Sequence, residues 1–544
     1  MKFKIMIMAL LLLAGIGSAV NTLPATTFVG DIDFASGYYA RNAIVGLHNA
    51  RDYGAVGDGV TDDTVALQAW LDCSAGNGIA FLPPGNYYKS GMLVPKNNTY
   101  VLGCGDASMI VDDATGFYIV GAYHDISIND IYLYGDGTLG RSGIEARNGA
   151  TRLSVKGCRI ENYGFMGIYA CEIHSSHICN NHVCSNGKSV AYVGQGIHVA
   201  QSRGIGADEV IVAENICNDN GNIIADYYGG CHGIYISGNY TTTEDATNII
   251  VSNNICNNNT GAGININCGR EVVVDGNICD GNRWKGIALA GGCNNTILDG
   301  NKVSNILTRN ESYSGTGCGI YASHDTSNCV FTNNRVRNVN QSGMRLGGSG
   351  HVVEGNKIST VGDSGIKLDD PKNFTVVGNS VEDAARYGIY VLMADGVLLS
   401  SNTILRGSWE YSTGIFFSTT LNNAVVVGNR VADYTWGVSS SSMSGVSGIC
   451  MANMVAHNTE PISSAILRSG MKVSHNSGTI TEATGSSTGT GAEQTIAHGL
   501  RAEPHSVSVT PNVPGATATW WADATNIYPT VTNGKTFNWA ASTW

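Results

Sequence analysis

Residues 254–289 read NICNNNTGAGININCGREVVVDGNICDGNRWKGIAL, and one pattern occurs in them twice, 23 residues apart. An asparagine is followed nine residues later by a glycine, an aliphatic residue, any residue and another apolar residue. Asn254 precedes Gly263-Ile264 in this way, and Asn277 precedes Gly286-Ile287. A fixed offset of this kind is typical of a stacked repeat protein.

The glycine–aliphatic mark recurs along most of the chain, usually 22 to 26 residues apart. The repeat glycines are Gly143, Gly167, Gly196, Gly233, Gly263, Gly286, Gly319, Gly343, Gly365, Gly388, Gly414 and Gly437. The units are rich in Gly, Asn, Val, Ile, Ser and Thr, which favour strands and turns rather than helices. The sequence therefore predicts an all-β parallel solenoid, with twelve or more coils over residues 120–460. Stacked asparagines are expected to bond from coil to coil.

A second motif lies near the start of the repeats. Residues 50–64 read ARDYGAVGDGVTDDT, and residues 81–87 read FLPPGNY. This pair resembles the opening of the pectate-lyase superfamily, which includes polygalacturonase-like glycosidases and phage tailspikes. The resemblance implies a right-handed, single-stranded parallel β-helix whose first coil carries a capping helix, here at residues 64–73. It covers most of the chain, but the superfamily mixes lyases, hydrolases, epimerases and non-catalytic spikes.

Composition shifts divide the chain into five segments. Residues 1–20 carry Lys2 and Lys4 before an apolar run and small residues, which is typical of a signal peptide; a retained N-terminal anchor is the alternative. A lead segment, 21–48, precedes the β-helix at 49–476. A Ser/Thr/Gly-rich linker, 477–491, precedes a C-terminal module at 492–544, interpreted as a small β-sandwich. Its aromatic residues either form a core or bind sugar.

Charge and cysteine content limit the partners and the compartment. The net charge of -12 argues against nucleic acid as the main partner. The signal segment predicts a secreted, extracellular or cell-surface protein, in which some of the 15 cysteines are expected to be oxidised. Seven Asn-x-Ser/Thr sequons make glycosylation an open expectation. Self-association and attachment to a cell envelope also remain open.

The residue after each repeat aliphatic is expected to point outward, so that one side chain per coil forms a row. This outer row comprises Glu145, Tyr169, His198, Tyr235, Asn265, Ala288, Tyr321, Arg345, Lys367, Tyr390 and Phe416. We call Tyr321, Arg345, Lys367 and Tyr390 the cationic strip. Two cations between two aromatic rings suit an acidic sugar chain, because guanidinium and ammonium groups bind carboxylates. A solvated polar stripe is the alternative.

Lyase chemistry on uronic acids needs a cation to neutralise the carboxylate and a base to remove the adjacent proton. We predict Arg345, Lys367, Asp369 and Tyr390 as catalytic candidates, with Tyr390 or Tyr321 as proton donor. The predicted substrate-binding residues are Tyr321, His324, Asp370, Tyr235 and His198. Hydrolysis would instead need two carboxylates across the bond, and adjacent Asp369 and Asp370 should face opposite ways unless the strand ends there.

The motifs of the enzymes within the superfamily are mostly missing. Polygalacturonase-like enzymes carry Asn-x-Asp, Asp-Asp, Gly-His-Gly and Arg-x-Lys motifs in that order, and here Asp369-Asp370 stands without the others before and after it. His232-Gly233 follows a cysteine, and the Asp-Pro-His-Asp run of mannuronan epimerases is absent. No catalytic residue carries over, and no cofactor is expected. The sequence predicts a lyase or hydrolase of an extracellular acidic polysaccharide; the alternative is a non-catalytic sheath, filament or spike protein.

Two cysteine patterns complete the expectations. Cys256 and Cys279 each lie two residues after an aligned asparagine and are predicted to lie on adjacent coils, at a separation that a disulfide tolerates. Cys217 occupies the matching place one coil earlier, so only two of the three cysteines could pair. His174, His177, Cys179, His182 and Cys184 have a spacing that could hold zinc. A disulfide with surface histidines is the favoured interpretation of that cluster, and no metal site is predicted.

Overall fold

A computed structural model describes most of the chain. The described residues are 32–34, 38–40, 46–76, 78–137, 140–187, 194–201, 206–221, 231–238, 246–307, 317–407, 411–441, 446–463, 466, 470–474, 476, 482–497, 503, 504 and 506–542. The predicted signal peptide and most of the lead segment lie outside these residues, as do linker residues 477–481 and sequons Asn239 and Asn310. Within the described part, no helix has the length and apolar character needed to span a bilayer.

The predicted right-handed parallel β-helix is confirmed, with about 15 coils. Each coil contributes short strands to three faces, and every strand pairs in parallel with its counterpart one coil away. The first face holds Phe117–Val120, Ile144–Arg147, Ile168–Cys171, Ile197–Ala200, Ile234–Ser237, Ile264–Asn267, Lys285–Ala290, Cys318–Ala322, Met344–Ser349, Trp436–Ser440 and Glu460–Ile462.

The other two faces are built in the same way. The second face holds Leu47–Asn49, Ile79–Phe81, Thr151–Lys156, His174–Cys179, Asp208–Ala213, Ala246–Thr247, Ile250–Ser252, Gly269–Arg270, Val273–Asp275, Ile297–Asp299, Val330–Thr332, Val352–Glu354, Val446–Met451 and Gly470–Ser474. The third face holds Asp58–Asp62, Gly85–Lys89, Arg159–Glu161, His182–Cys184, Ile278–Asp280, Lys302–Ile306, Arg335–Val339, Lys357–Val361, Ser380–Ala384, Thr403–Gly407, Arg430–Ala432 and Met454–Ala456. Long strands that bend between faces are Tyr100–Asp112, His124–Gly135, Ser364–Val377, Tyr387–Ser400 and Thr413–Val427.

The repeat glycine marks a place where two faces of a coil approach closely. The aliphatic residues after the glycines stack in register, as in Ile264, Ile287 and Ile320, and are fully buried. A Cβ added at Gly286 would lie 2.2 Å from Cγ1 of Val303 on the third face. Only glycine avoids this overlap, which explains why the residue recurs once per coil.

The N-terminal motif builds the cap of the solenoid. A 3-10 turn, Ala50–Tyr53, and the helix Thr64–Ser74 close the first coil, as predicted for residues 64–73. The buried Asp63 carboxylate accepts backbone hydrogen bonds from Val56 (2.7 Å) and Gly57 (3.0 Å) and so holds the preceding loop. Among the described residues, Ile32–Phe34 and Tyr38–Ala40 form a separate antiparallel pair before the cap.

A ladder of buried asparagines runs along the solenoid, as the fixed offset predicted. In each coil the side-chain amide donates to the side-chain oxygen of the next asparagine, as Asn334 does to Asn356 at 3.0 Å. The members are Asn181, Asn215, Asn254, Asn277, Asn301, Asn334, Asn356, Asn379, Asn402, Asn429, Asn453 and Asn476. Their mutual bonds satisfy polar groups that would otherwise be buried without partners.

We predict that Asn334→Ala destabilises the solenoid by about 3 kcal/mol or more. The substitution removes the acceptor of the Asn301 backbone and side-chain amides and the donor to the Leu298 carbonyl. Each buried group left unsatisfied costs about 1–3 kcal/mol. Chemical denaturation followed by circular dichroism measures the effect. The control is Asn333→Gly at the neighbouring exposed, left-handed position (φ 53°); an equal loss in both variants would contradict the ladder's role.

The predicted disulfide between Cys256 and Cys279 is wrong, although their placement is right. The two residues lie on adjacent coils, since Ile255 pairs with Ile278, and both are buried free thiols. In-register side chains on parallel strands point the same way about 4.8 Å apart, farther than the Cβ spacing of about 3.8 Å in a disulfide. The described part of the chain contains no disulfide bond.

The C-terminal module forms two small antiparallel sheets, which suits the predicted sandwich, but its first strand, Glu482–Thr488, lies within the predicted linker 477–491, so the module begins earlier than residue 492. One sheet joins Glu482–Thr488, Thr536–Ser542 and Ser506–Pro511; the other joins Ile496–Ala497, Asn526–Val531 and Ala518–Ala522. Their shared core contains Val509, Ile527, Val531, Phe537 and Ala541. Trp539 packs against this core, whereas Trp520 and Trp521 are exposed, so the aromatic residues do not all serve the core.

Candidate functional site

The outer row forms as predicted on the first face. Parallel pairing places Tyr321 beside Arg345, Arg345 beside Lys367, and Lys367 beside Tyr390. All four side chains of the cationic strip are partly exposed. Towards the N-terminus the same register continues through Ala288, Asn265, Tyr235, His198, Tyr169 and Glu145.

Arg345 and Asp369 form an ion pair within the strip. The Arg345 Nε donates to the Asp369 carboxylate at 2.5 Å, and the carboxylate is only 5% exposed whereas the guanidinium side chain is 21% exposed. A buried carboxylate needs the guanidinium as its partner, and the contact holds the guanidinium in place. This contact suits Asp369 to position Arg345, while its predicted catalytic role stays a prediction.

Lys367 is the less constrained cation of the strip. Its Nζ lies 5.1 Å from the centroid of the Tyr390 ring, and it makes no ion pair with any described residue. Tyr390 belongs to an aromatic cluster with Tyr387 and Phe416, whose ring centroids are 4.9 to 5.7 Å apart. The strip therefore ends in a broad aromatic surface, which the outer row predicted from the sequence represents by Tyr390 and Phe416 but not by Tyr387.

A buried lysine lies against the N-terminal end of the strip. Lys285 Nζ is 3.8 Å from the centroid of the Trp284 ring and 3.5 Å from that of the Tyr321 ring. Its side chain is almost fully buried, and this burial lowers the pKa of Lys285 to about 7. The nearby Arg345 cation lowers the pKa further, against an opposing effect of Cys318. A lysine that is partly neutral at pH 7 can act as a base.

His232 extends this cluster on the other side of Trp284. The two ring centroids are 5.7 Å apart, and burial lowers the pKa of His232 to about 3, so the imidazole is neutral. Its Nδ1 accepts from the backbone amide of Ala262, which requires the proton to sit on Nε2. The Asn265 side chain 3.0 Å away must therefore present its oxygen to Nε2, and this orientation also satisfies its otherwise unpaired oxygen. We call His232, Trp284, Lys285 and Tyr321 the Lys285 cluster.

The remaining predicted binding residues lie at the edges. Tyr235 and His198 stack 4.6 Å apart on the same row, and burial lowers the pKa of His198 to about 3. His324 is exposed after the strand Cys318–Ala322, close to Gly347 on the next coil. Asp370 has a left-handed backbone (φ 50°) at the register shift after Asp369, so the strand bends there.

The histidine–cysteine cluster at residues 174–184 does not converge. His174, His177 and Cys179 lie on the second face, and a left-handed Asn180 (φ 57°) then turns the chain onto the third face. Within the described ranges, no three His, Cys, Asp or Glu side chains are placed so that they could hold a metal ion. His177 instead lines a groove of about 610 Å³ on the second face, away from the cationic strip.

Sequence reasoning missed Lys285, Trp284 and Tyr387. The position before the repeat glycine carries Ser, Gln, Ala, Cys or Thr in seven of the twelve repeats, and the residues that break this series are Met166, His232, Lys285, Tyr387 and Trp436. That departure is the signal that could have found Lys285. The sequence argument did not use this position, because it assigned only the residue after each repeat aliphatic to the outer surface.

Comparison with known proteins agrees with this architecture. A family model described as "Rhamnogalacturonase A/epimerase, pectate lyase-like" matches residues 47–288, and one described as "Right handed beta helix region" matches residues 302–484. The chain belongs to the pectate-lyase-like β-helix superfamily. The solved catalytic unit of a GH87 alpha-1,3-glucanase from Streptomyces thermodiastaticus is 19% identical with a TM-score of 0.51, covering 65% of this chain and 68% of that one, and shares the fold.

Two curated relatives match short segments. Mannuronan C5-epimerase AlgE5 from Azotobacter vinelandii is 39% identical over 79 residues, covering 13% of this chain and 8% of that protein. Alginate lyase 7 from the same organism is also 39% identical over 79 residues, covering 13% of this chain and 9% of that protein. The chain thus spans less than a tenth of the length of either relative.

Proposed function

We propose that this β-helix acts on an extracellular acidic polysaccharide at the cationic strip, by removing the proton next to a uronate carboxylate. The observation that carries the proposal is the in-register stack Tyr321, Arg345, Lys367 and Tyr390 beside a buried lysine whose pKa lies near 7. The names of the curated relatives, a mannuronan C5-epimerase and an alginate lyase, support the same chemical class.

Each part of the strip has a chemical task. Arg345 and Lys367 bind the uronate carboxylate and neutralise the charge that develops when the neighbouring proton leaves. Neutral Lys285 takes that proton. The electron pair then either expels the glycosidic oxygen from the next carbon, which takes up a proton and leaves an unsaturated sugar, or recaptures a proton from the opposite face and inverts the centre.

Access to Lys285 requires ring movement. The side chain is only 3% exposed, because Trp284 and Tyr321 cover it. Tyr321 is itself part of the strip, so a sugar bound on Arg345 would contact the ring that covers the amine. Burial raises the pKa of Tyr321, which keeps its phenol protonated and suited to donate a proton to the leaving oxygen.

Hydrolysis is less well supported by this geometry. A glycosidase needs two carboxyl groups facing each other across the bond. Asp369 is held by Arg345, and Glu145, the one acidic residue of the outer row, is buried in an ion pair with Arg147 at 2.6 Å. No second carboxylate of the described outer row lies free beside the strip.

The proposal is tested by incubating the purified protein with alginate and with polygalacturonate. Unsaturated products are read by ultraviolet absorbance, and reducing ends are measured separately. Absorbance that rises together with reducing ends supports elimination, whereas reducing ends without absorbance would favour hydrolysis and contradict the assignment of Lys285.

A second proposal, a non-catalytic component that self-assembles, rests on another surface. Outward aliphatic side chains stack in register on the second face, and Ile250 and Ile297 are 40% and 41% exposed. The row comprises Ile211, Ile250, Val273, Ile297, Val330 and Val352. Exposed apolar rows of this kind mark interaction sites. Under this proposal, Ile250→Lys with Ile297→Lys converts an oligomer to a monomer in light scattering; a wild-type monomer would contradict it.

A further inference from the structure

The C-terminal module carries an exposed aromatic platform that the solenoid site does not use. Trp521 and Tyr528 lie opposite each other on neighbouring antiparallel strands, with ring centroids 3.8 Å apart and planes inclined by 10°. Trp521 is 52% exposed although one face of its indole is covered by the tyrosine. The other indole face is therefore open to solvent.

Polar contacts fix both rings in this position. The Trp521 Nε1 donates to the Glu493 carboxylate at 3.0 Å, and the Tyr528 hydroxyl donates to the Asp523 carboxylate at 2.8 Å. Asp523 is in turn held by the backbone amides of Thr525 (2.7 Å) and Asn526 (2.8 Å). A large exposed ring that is anchored at its polar edge loses little further freedom when a ligand stacks on it.

The charge around the platform selects the ligand. Glu493 and Asp523 lie at its rim, and the backbone amides that donate to Asp523 hold the pKa of that carboxyl well below its usual range, so it is ionised. Carboxylates accept hydrogen bonds from hydroxyl groups but repel uronates and sulfates. A flat ring with acceptors at its edge suits a sugar that presents an apolar ring face and neutral hydroxyls.

We propose that Trp521, stacked on Tyr528, is a binding platform for a neutral polysaccharide, distinct from the acidic-glycan site proposed on the solenoid. The two sites differ in charge, since one offers Arg345 and Lys367 and the other offers Glu493 and Asp523. A chain that binds both ligands would attach to a neutral polysaccharide through its C-terminal module while its solenoid binds an acidic polysaccharide in the same matrix.

Native affinity electrophoresis of the full chain tests the platform. Gels contain a β-glucan, an α-glucan, a galactomannan or a xylan, or else alginate or polygalacturonate. At least one neutral polymer is expected to retard the wild type, and Trp521→Ala is expected to weaken that binding about tenfold or more. Salt should have little effect, because the ligand carries no charge.

Trp520→Ala is the matched control, because this neighbouring tryptophan is 43% exposed but points to the opposite side of the same strand. Trp520→Ala should be retarded by the neutral polymer as strongly as the wild type is. The same result is expected for Trp521→Phe, which retains an aromatic face, and for Lys367→Met, which changes only the solenoid site. The platform is refuted if no neutral polymer retards the wild type, if Trp521→Ala binds as well as Trp520→Ala, or if Trp521→Ala loses only the acidic polymers. Loss of neutral-polymer binding in Lys367→Met would place that binding on the solenoid and contradict the platform, whereas loss of only the acidic polymers in Lys367→Met supports two separate sites.

Discussion

Lys285→Met is expected to lower turnover on an acidic polysaccharide by about 100-fold or more, the scale of general base catalysis. The substitution removes the amine whose pKa lies near 7 and leaves an apolar side chain of similar length between Trp284 and Tyr321. Burying a methionine is cheaper than burying an ammonium group, so the unfolding midpoint should stay the same or rise. Substrate binding should persist, because Arg345 and Lys367 are untouched.

The pH profile gives an independent readout of the same residue. Lys285 acts only as the neutral amine, so kcat/KM should rise about tenfold per pH unit up to pH 7 and then level off. Lys302→Met is the control, since that lysine is exposed on the third face. A variant at Lys285 that keeps both its rate and its pH profile would exclude the residue as the base.

The second large effect is expected at the two cations of the strip. Lys367→Met should weaken binding of a polyuronate about tenfold or more, because a hydrogen bond to a charged group contributes about 1.5–3 kcal/mol. The loss should shrink at high salt, which screens the wild-type attraction. Isothermal calorimetry at two salt concentrations measures both effects, with Lys357→Met on the exposed third face as control.

Arg345 requires a paired substitution. Removing it alone leaves the buried Asp369 carboxylate uncompensated, at a cost of about 3–5 kcal/mol in stability. Arg345→Met with Asp369→Asn removes the cation and the carboxylate together, so weakened binding can be separated from unfolding. If the double variant and Lys367→Met both bind polyuronate as the wild type does, the strip is a solvated surface.

The solenoid is predictable from the sequence because its signals are periodic. Asn334, Asn356 and Asn379 each lie nine residues before a repeat glycine. Each coil requires a buried side-chain amide at the asparagine position and a residue without a Cβ at the glycine position. The order of the outer row follows from the same register, so the alignment of Tyr321, Arg345, Lys367 and Tyr390 can be deduced from the repeat spacing alone.

Contacts that depend on how deeply side chains are buried, rather than on their position in the repeat, cannot be predicted from the repeat spacing. Arg345 and Asp369 are diagonal neighbours in the register, but their ion pair and the burial of the carboxylate depend on side-chain packing that the repeat spacing does not specify. The pKa of Lys285 depends on how far Trp284 and Tyr321 cover it, which is a property of packed rings. Coil spacing alone suggests a disulfide, but in-register thiols lie side by side instead of converging.

Proton exchange at the carbon that bears the uronate carboxylate tests the central claim most directly. A polyuronate is incubated with the protein in heavy water, and the signal of that proton is followed by nuclear magnetic resonance. The account predicts that the wild type removes the signal, through elimination or through replacement by deuterium, and that Lys285→Met does so about 100-fold more slowly or worse. A wild-type protein that binds the polymer but leaves every such proton in place would contradict it.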